Sequence, residues 1–268
     1  MCRRMAKSHT RKKRRIRKVH RGGNNSEAKV YIFYHVYCNK HTMPILKDQA
    51  TRIIFSGLYE AVTSIKCFLA GDLKADIDEA EAFLKDCGEK FTIEEKGQGD
   101  KTFERFTLTK IPKYITDADK FLYLHTKGVS EKNNMGDNIQ NVYWWRTWME
   151  YHLIHRYEFC LKKLYDHDIV GVGYTTKMIG PHFSGNFWWS KGSYYKTLPK
   201  NPDGTLNIGS GYLEPENFIF KGTNPKHIDI DEGRSSDPNV DYYSFKPGIK
   251  AANTYRNRPK KGGRRNRK

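Results

Sequence analysis

The sequence predicts an α/β protein, a single domain whose mainly parallel sheet is flanked by helices. Three observations carry this. Lys29-Val30-Tyr31-Ile32-Phe33-Tyr34-His35-Val36-Tyr37 and Phe121-Leu122-Tyr123-Leu124 are continuous apolar, β-branched and aromatic runs, as expected of strands buried on both faces. Apolar residues between and after these runs recur at helical spacing. The chain of 268 residues is long enough for one such domain with a sizeable core.

The elements follow in order. Residues 29–37 are the first strand. Thr42 can cap the next helix and Pro44 suits its first turn; Leu46, Ala50, Ile53, Gly57 and Ala61 give it one apolar face. Ser64 to Gly71 is a second strand. Ile77, Ala80, Phe83, Leu84 and Cys87 mark another amphipathic helix. Phe91 to Glu95 reads as a third strand and Gly97 to Asp100 as a turn. A helix lies within Thr102 to Ile115, limited by Pro112. Lys120 to Leu124 is a buried strand, and Ser130 to Gln140 a polar loop suited to a lid. The clearest helix steps through Val142, Trp145, Met149, Leu153, Tyr157, Cys160 and Leu164. Ile169 to Tyr174 is a strand, Ser193 to Pro199 a short helix, and Tyr212 to Phe220 a helix with acids at its start. Residues 223–255 wrap the domain of residues 28–222.

Composition locates the charge. The net charge is +18, with mean hydropathy −0.80. Residues 1–21 hold eleven Lys and Arg and residues 256–268 hold eight, with no acid in either. Without those nineteen, 29 basic residues face 30 acidic ones. The domain is thus near neutral, and a basic nucleic-acid surface on it is not indicated. Residues 1–27 and 256–268 are expected to be disordered basic arms able to contact polyanions. No apolar run has the length of a membrane span, and no apolar signal segment opens the chain. The five cysteines are scattered, without zinc or disulfide spacing. These features point to a reduced, cytoplasmic protein.

Two stretches carry candidate chemistry. The run ending at Leu124 delivers His125-Thr126-Lys127-Gly128 to its carboxyl end, where open α/β sheets bind ligands. In His182-Phe183-Ser184-Gly185-Asn186-Phe187-Trp188-Trp189, Gly185 permits close backbone approach and His182 and Asn186 offer hydrogen bonds. The aromatic faces suit a sugar ring. The same octapeptide also reads as a buried aromatic strand with a bulge at Gly185. His152 and His155 lack an acidic partner on their face and read as core or surface residues rather than metal ligands.

Taken together, Tyr34-His35-Val36-Tyr37, Ser56-Gly57-Leu58-Tyr59, Leu124 to Gly128, Trp144-Trp145-Arg146 and the octapeptide resemble a group of glycosyltransferases. These occur in giant DNA viruses and bacterial surface-polysaccharide clusters. The resemblance covers about residues 28–222. It implies a GT-A-like, Rossmann-related fold and sugar transfer from a nucleotide-sugar to a glycan or protein acceptor, with inversion. Tyr34, His35, His125, Thr126, Lys127 and Gly128 would then bind the donor. His182, Ser184, Gly185, Asn186 and Trp188 would bind the sugar or acceptor, with Trp188 and Trp189 forming the wall behind. Glu216, with Glu214 as neighbour, would be the catalytic base.

Asp117-Ala118-Asp119 spells the D-x-D by which many such enzymes hold Mn²⁺ or Mg²⁺. It precedes its strand, whereas metal ligands should follow it, so the two aspartates read as turn residues at the opposite edge. Lys127 then stands where the metal would, and the metal requirement stays open. Two other classes remain. One is an inactive transferase fold that binds nucleic acid or a virion component through its arms. The other is a glycoside hydrolase, for which the sequence offers no clear pair of carboxylates.

Overall fold

A computed structural model describes residues 27–99, 103–129, 138–177 and 179–231. The expected basic arms lie outside the described residues, except that Glu27 is described; most of the expected lid and most of residues 223–255 also lie outside.

The protein is a single α/β domain on a seven-stranded sheet of order β3-β2-β1-β4-β8-β5-β9. The strands are β1 Val30–Cys38, β2 Ser64–Gly71, β3 Phe91–Gln98, β4 Lys120–His125, β5 Ile169–Gly171, β8 Trp188–Lys191 and β9 His227–Asp229. β1 to β4 are mutually parallel, as are β5 and β9; β8 runs antiparallel between β4 and β5. The order 3-2-1-4 is that of the first half of a Rossmann sheet. β6 Tyr174–Thr175 and β7 His182–Phe183 form a separate two-stranded ribbon.

Both faces of the sheet are covered, which is why its strands read as unbroken apolar runs. Successive β1 side chains alternate between the faces. Ile32, Tyr34 and Val36 pack with Leu46 and Ile53 of α1 (Thr42–Ser56), Leu84 of α3 (Lys74–Cys87) and Met149 of α5 (Asn138–Glu150). α2 (Leu58–Ala61) adds Leu58 to the same layer. Tyr31 and Phe33 pack on the other face with Leu108 of α4 (Arg105–Leu108), Tyr195 of α7 (Gly192–Tyr195) and Phe218.

Several expected elements differ in extent. Thr42 does not cap α1; its hydroxyl donates to the Tyr37 carbonyl (2.8 Å) and accepts the Asn39 N–H (2.7 Å), closing the β1–α1 loop. β3 runs on through Gln98 because Gly71 pairs with it, so the expected turn at Gly97 starts later. Pro112 confines the segment before β4 to α4 and a 3-10 turn, Ile111–Lys113. The long helix is α5, a π turn Tyr151–His155 and α6 (Tyr157–Lys163). The helix expected over 212–220 is only α8 (Glu214–Asn217) and a 3-10 turn. β9 lies beyond residue 222 yet belongs to the central sheet, so the domain does not end there.

Candidate functional site

The carboxyl ends of β1 and β4 meet in register, His35 beside His125. His35 is buried and His125 half-buried, and both imidazoles are neutral. Burial, and then the other histidine, push His35 down to about 3; burial, and then Lys127, push His125 down to about 3. His35 Nδ1 lies 2.9 Å from the Thr107 hydroxyl. His125 Nε2 lies 3.0 Å from the Gly185 carbonyl. A carbonyl only accepts, so the His125 proton sits on Nε2.

That proton also faces a carboxylate that the sequence did not announce. Glu104 opens α4, and its Oε1 is 3.5 Å from His125 Nε2. Its Oε2 accepts from the Tyr123 hydroxyl (3.2 Å) and from the Asn186 side-chain amide. Burial raises the Glu104 pKa, while Lys127, Asn186, Tyr123 and Arg105 pull it down. No motif marks Glu104: its partner Asn186 is 82 residues away. The only local sign is an acid lodged between Phe103 and Phe106.

The octapeptide supplies β7, a turn and β8, so its strand reading holds for the two ends and the turn replaces the expected bulge at Gly185. Gly185 (φ 90°) and Asn186 (φ 56°) make the turn. A Cβ on Gly185 would meet Met149 Sδ at 2.6 Å, so glycine here serves close packing on α5 rather than ligand approach. Asn186 Oδ1 accepts from Trp188 Nε1 at 2.7 Å, which turns its amide toward Glu104. Trp188 and Trp189 are fully buried on opposite faces of the sheet: Trp188 packs 5.1 Å from the Tyr123 ring, and Trp189 donates to the Leu153 carbonyl in the other layer (2.9 Å).

Lys127 follows β4 with its ammonium 4.4 Å over the Trp145 ring. Its loop is braced from below. Arg146 donates to the Lys127 carbonyl (3.1 Å) and Gln49 to the His125 carbonyl (3.1 Å). Arg146 and Arg52 in turn flank the wholly buried Glu150, at 3.3 and 2.9 Å. Asp48 completes the cluster, 3.1 Å from Arg52. Burial would lower the Arg52 pKa, but Glu150 and Asp48 raise it, whereas burial pushes the Glu150 carboxyl up to about 7 against the pull of Arg146 and Arg52.

Several residues expected to bind ligand are engaged by the protein itself. Tyr34 is fully buried on the helical face, its hydroxyl 2.6 Å from Gln49, because strand alternation places it with Ile32 and Val36. His35 lies beneath the site, buried against Thr107. The Thr126 hydroxyl accepts the Tyr37 N–H (3.0 Å) and is buried between strands. Gly128 (φ 90°) shapes the loop, where a Cβ would strike Val142. His182 bonds the Gly180 carbonyl (2.8 Å) within the ribbon, and Ser184 is buried, its N–H on Gly173. The Glu214 carboxylate accepts the Gly211 N–H (2.7 Å) and faces Lys221 and Arg105, so it holds a loop. Glu216, half-buried on α8, is the acid of that helix close enough to act on the charge of His125.

A further feature went unread. Tyr37, at the end of β1, lies parallel to the exposed Phe103 ring (6.1 Å, 8°), and Tyr212 meets Phe103 edge-on. The Tyr37 hydroxyl is 3.2 Å from Asp72 after β2. These rings line the same carboxyl edge as Glu104 and Lys127.

Asp117 and Asp119 lie at the amino end of β4, as expected from their order. Asp119 accepts from Lys29 N (2.8 Å) and Thr116 N (2.6 Å), and Asp117 pairs with Lys196. Among the described residues no group of three or more His, Cys, Asp or Glu could hold a metal ion, and no helix is long and apolar enough to cross a membrane.

Fold and site together define an α/β domain with a partly buried carboxylate–imidazole–amide cluster and a lysine at the carboxyl edge of its parallel strands. Residues 33–203 match the model of a domain of unknown function, DUF8361, and the chain belongs to that family. No curated protein matches it.

Proposed function

We propose that the chain is a glycosyltransferase, moving a hexosyl or deoxyhexosyl group from a nucleotide-sugar to a hydroxyl of a glycan or glycoprotein, with inversion. One observation carries this: Lys127 and the Glu104–His125–Asn186 cluster converge at the carboxyl end of β4 from segments 60 and 82 residues apart. In open α/β sheets ligands bind outside those ends. The 3-2-1-4 strand order followed by an antiparallel strand fits the GT-A-like fold that the motifs imply.

In this assignment Lys127 faces the donor diphosphate, whose charge a compact ammonium offsets. The Tyr37 and Phe103 rings offer a flat face to the base, and the Asp72 carboxylate can accept from the ribose or base. Tyr34 and His35 support that edge from within. The sugar lies toward Asn186 and Glu216. The residues do not fit a divalent cation there. A lysine occupies the position, Glu104 is engaged by Asn186 and Tyr123, and the aspartates of D-x-D cap a turn at the opposite end. A cytoplasmic site of action belongs to the same proposal.

The test is thermal shift and calorimetry with UDP-, GDP- and dTDP-sugars, each with and without Mn²⁺ or Mg²⁺. At least one donor is expected to stabilise the protein without metal. No stabilisation by any donor would remove the proposal. It would favour the second reading, a polyanion-binding protein with an inactive core, which rests on the nineteen basic residues of the two termini.

A further inference from the structure

We propose that Glu104 is the catalytic base that takes the proton of the attacking hydroxyl. The inference rests on the transferase reading and names a residue of its reaction. In the step, the acceptor O–H proton passes to a Glu104 carboxylate oxygen. The acceptor oxygen forms the new bond to the anomeric carbon as the bond from that carbon to the diphosphate breaks. The nucleoside diphosphate leaves with the electron pair, beside Lys127.

The geometry separates Glu104 from Glu214 and His125, and the E216Q comparison below separates it from Glu216. Glu214 is committed to the Gly211 N–H and two cations. His125 presents Nε2–H to a carbonyl, and a neutral imidazole so hard to protonate is a poor base. Glu104 is fixed through one oxygen by Tyr123 and Asn186, which orients the other. Among the described residues that second oxygen has only the long contact to His125, and about 20% of the side chain is exposed, so a hydroxyl can reach it. Burial strengthens the base, since general-base efficiency improves as the pKa approaches the working pH. Among the described residues, Tyr123, His125 and Lys127 of the β4 end and Arg105 of its own turn are the titratable groups around it.

The experiment uses the full chain and whichever UDP-, GDP- or dTDP-sugar stabilises it most, with water as acceptor and release of nucleoside diphosphate as readout. E104Q is expected to bind that donor within about twofold of wild type and to lose turnover by about 100-fold or more. Near-wild-type turnover in E104Q would overturn the proposal, as would a 100-fold loss in E216Q alone. If E104Q does not fold, Tyr123→Phe serves instead. Losing a hydrogen bond to the carboxylate raises its pKa, so the acidic limb of the wild-type kcat profile should move to higher pH. An unmoved limb would equally overturn it. Donor binding by wild type keeps these outcomes distinct from failure of the transferase reading itself, in which no donor binds.

Discussion

Lys127 is positioned by its backbone while its ammonium rests on Trp145. Lys127→Ala removes one charged contact to the diphosphate, a loss of about 1.5–3 kcal/mol of donor affinity. Calorimetry at rising salt checks it: the wild-type affinity should fall with salt and the variant's less steeply. The histidines give a second residue-scale outcome. His35 and His125 have folded pKa values near 3 against an ordinary 6.5. The unfolded chain therefore binds more protons below about pH 6.5, and their contribution to stability is full above that value. It is lost as pH falls from there toward about 3. Glu104, shifted upward, works in the opposite sense, so the imidazoles are best followed by nitrogen NMR. Both should stay neutral at pH 5; titration near 6.5 would refute their burial as described. At this scale the sequence announced Lys127, His125 and Asn186, because they stand in unusual runs. Glu104 was hidden because its partners are distant in sequence. The burial of Tyr34 on the helical face was not legible, because the run alone does not say which face each ring takes.

Elements were legible where hydrophobic pattern and burial agree. β1, β2 and β4 could be read because both of their faces are covered. The break after Glu150 could not, since the apolar steps at Leu153, Tyr157 and Cys160 continue through the π turn. The octapeptide forms β7, a turn with Gly185 and Asn186 at positive φ, and β8, and its two strands join different sheets, which the aromatic run alone does not reveal. The loop entering β4 shows the value of direction. Because metal ligands belong at a strand's carboxyl end, Asp119 was assigned to a turn, and there it gathers two backbone N–H groups and the Thr116 hydroxyl. Asp119→Ala would strand those donors, at about 1–3 kcal/mol for each one left unsatisfied. Denaturant unfolding should show that loss, while donor affinity stays as in wild type under conditions where the variant is folded. A selective loss of metal-dependent donor binding would restore D-x-D.

For the whole molecule, charge and fold separate. The central sheet and both core layers are built from residues between 30 and 230, and the charge excess lies in residues 1–21 and 256–268. Deleting those two segments is expected to leave the melting temperature within a few degrees while abolishing salt-sensitive retention on a polyanion resin. A broad, non-cooperative melt would show that the segments are part of the folded unit. One consequence of the sheet order concerns synthesis. β8 separates β4 from β5, and every strand up to β4 is complete by residue 125, whereas β8 begins at Trp188. On the ribosome, the four parallel strands can assemble while the hydrogen-bonding rim of β4 still waits for a partner. A bare rim of that kind recruits other chains. The interval in which residues 126–187 are translated is thus when a nascent copy is most exposed to its neighbours, and arrival of Trp188–Lys191 ends it.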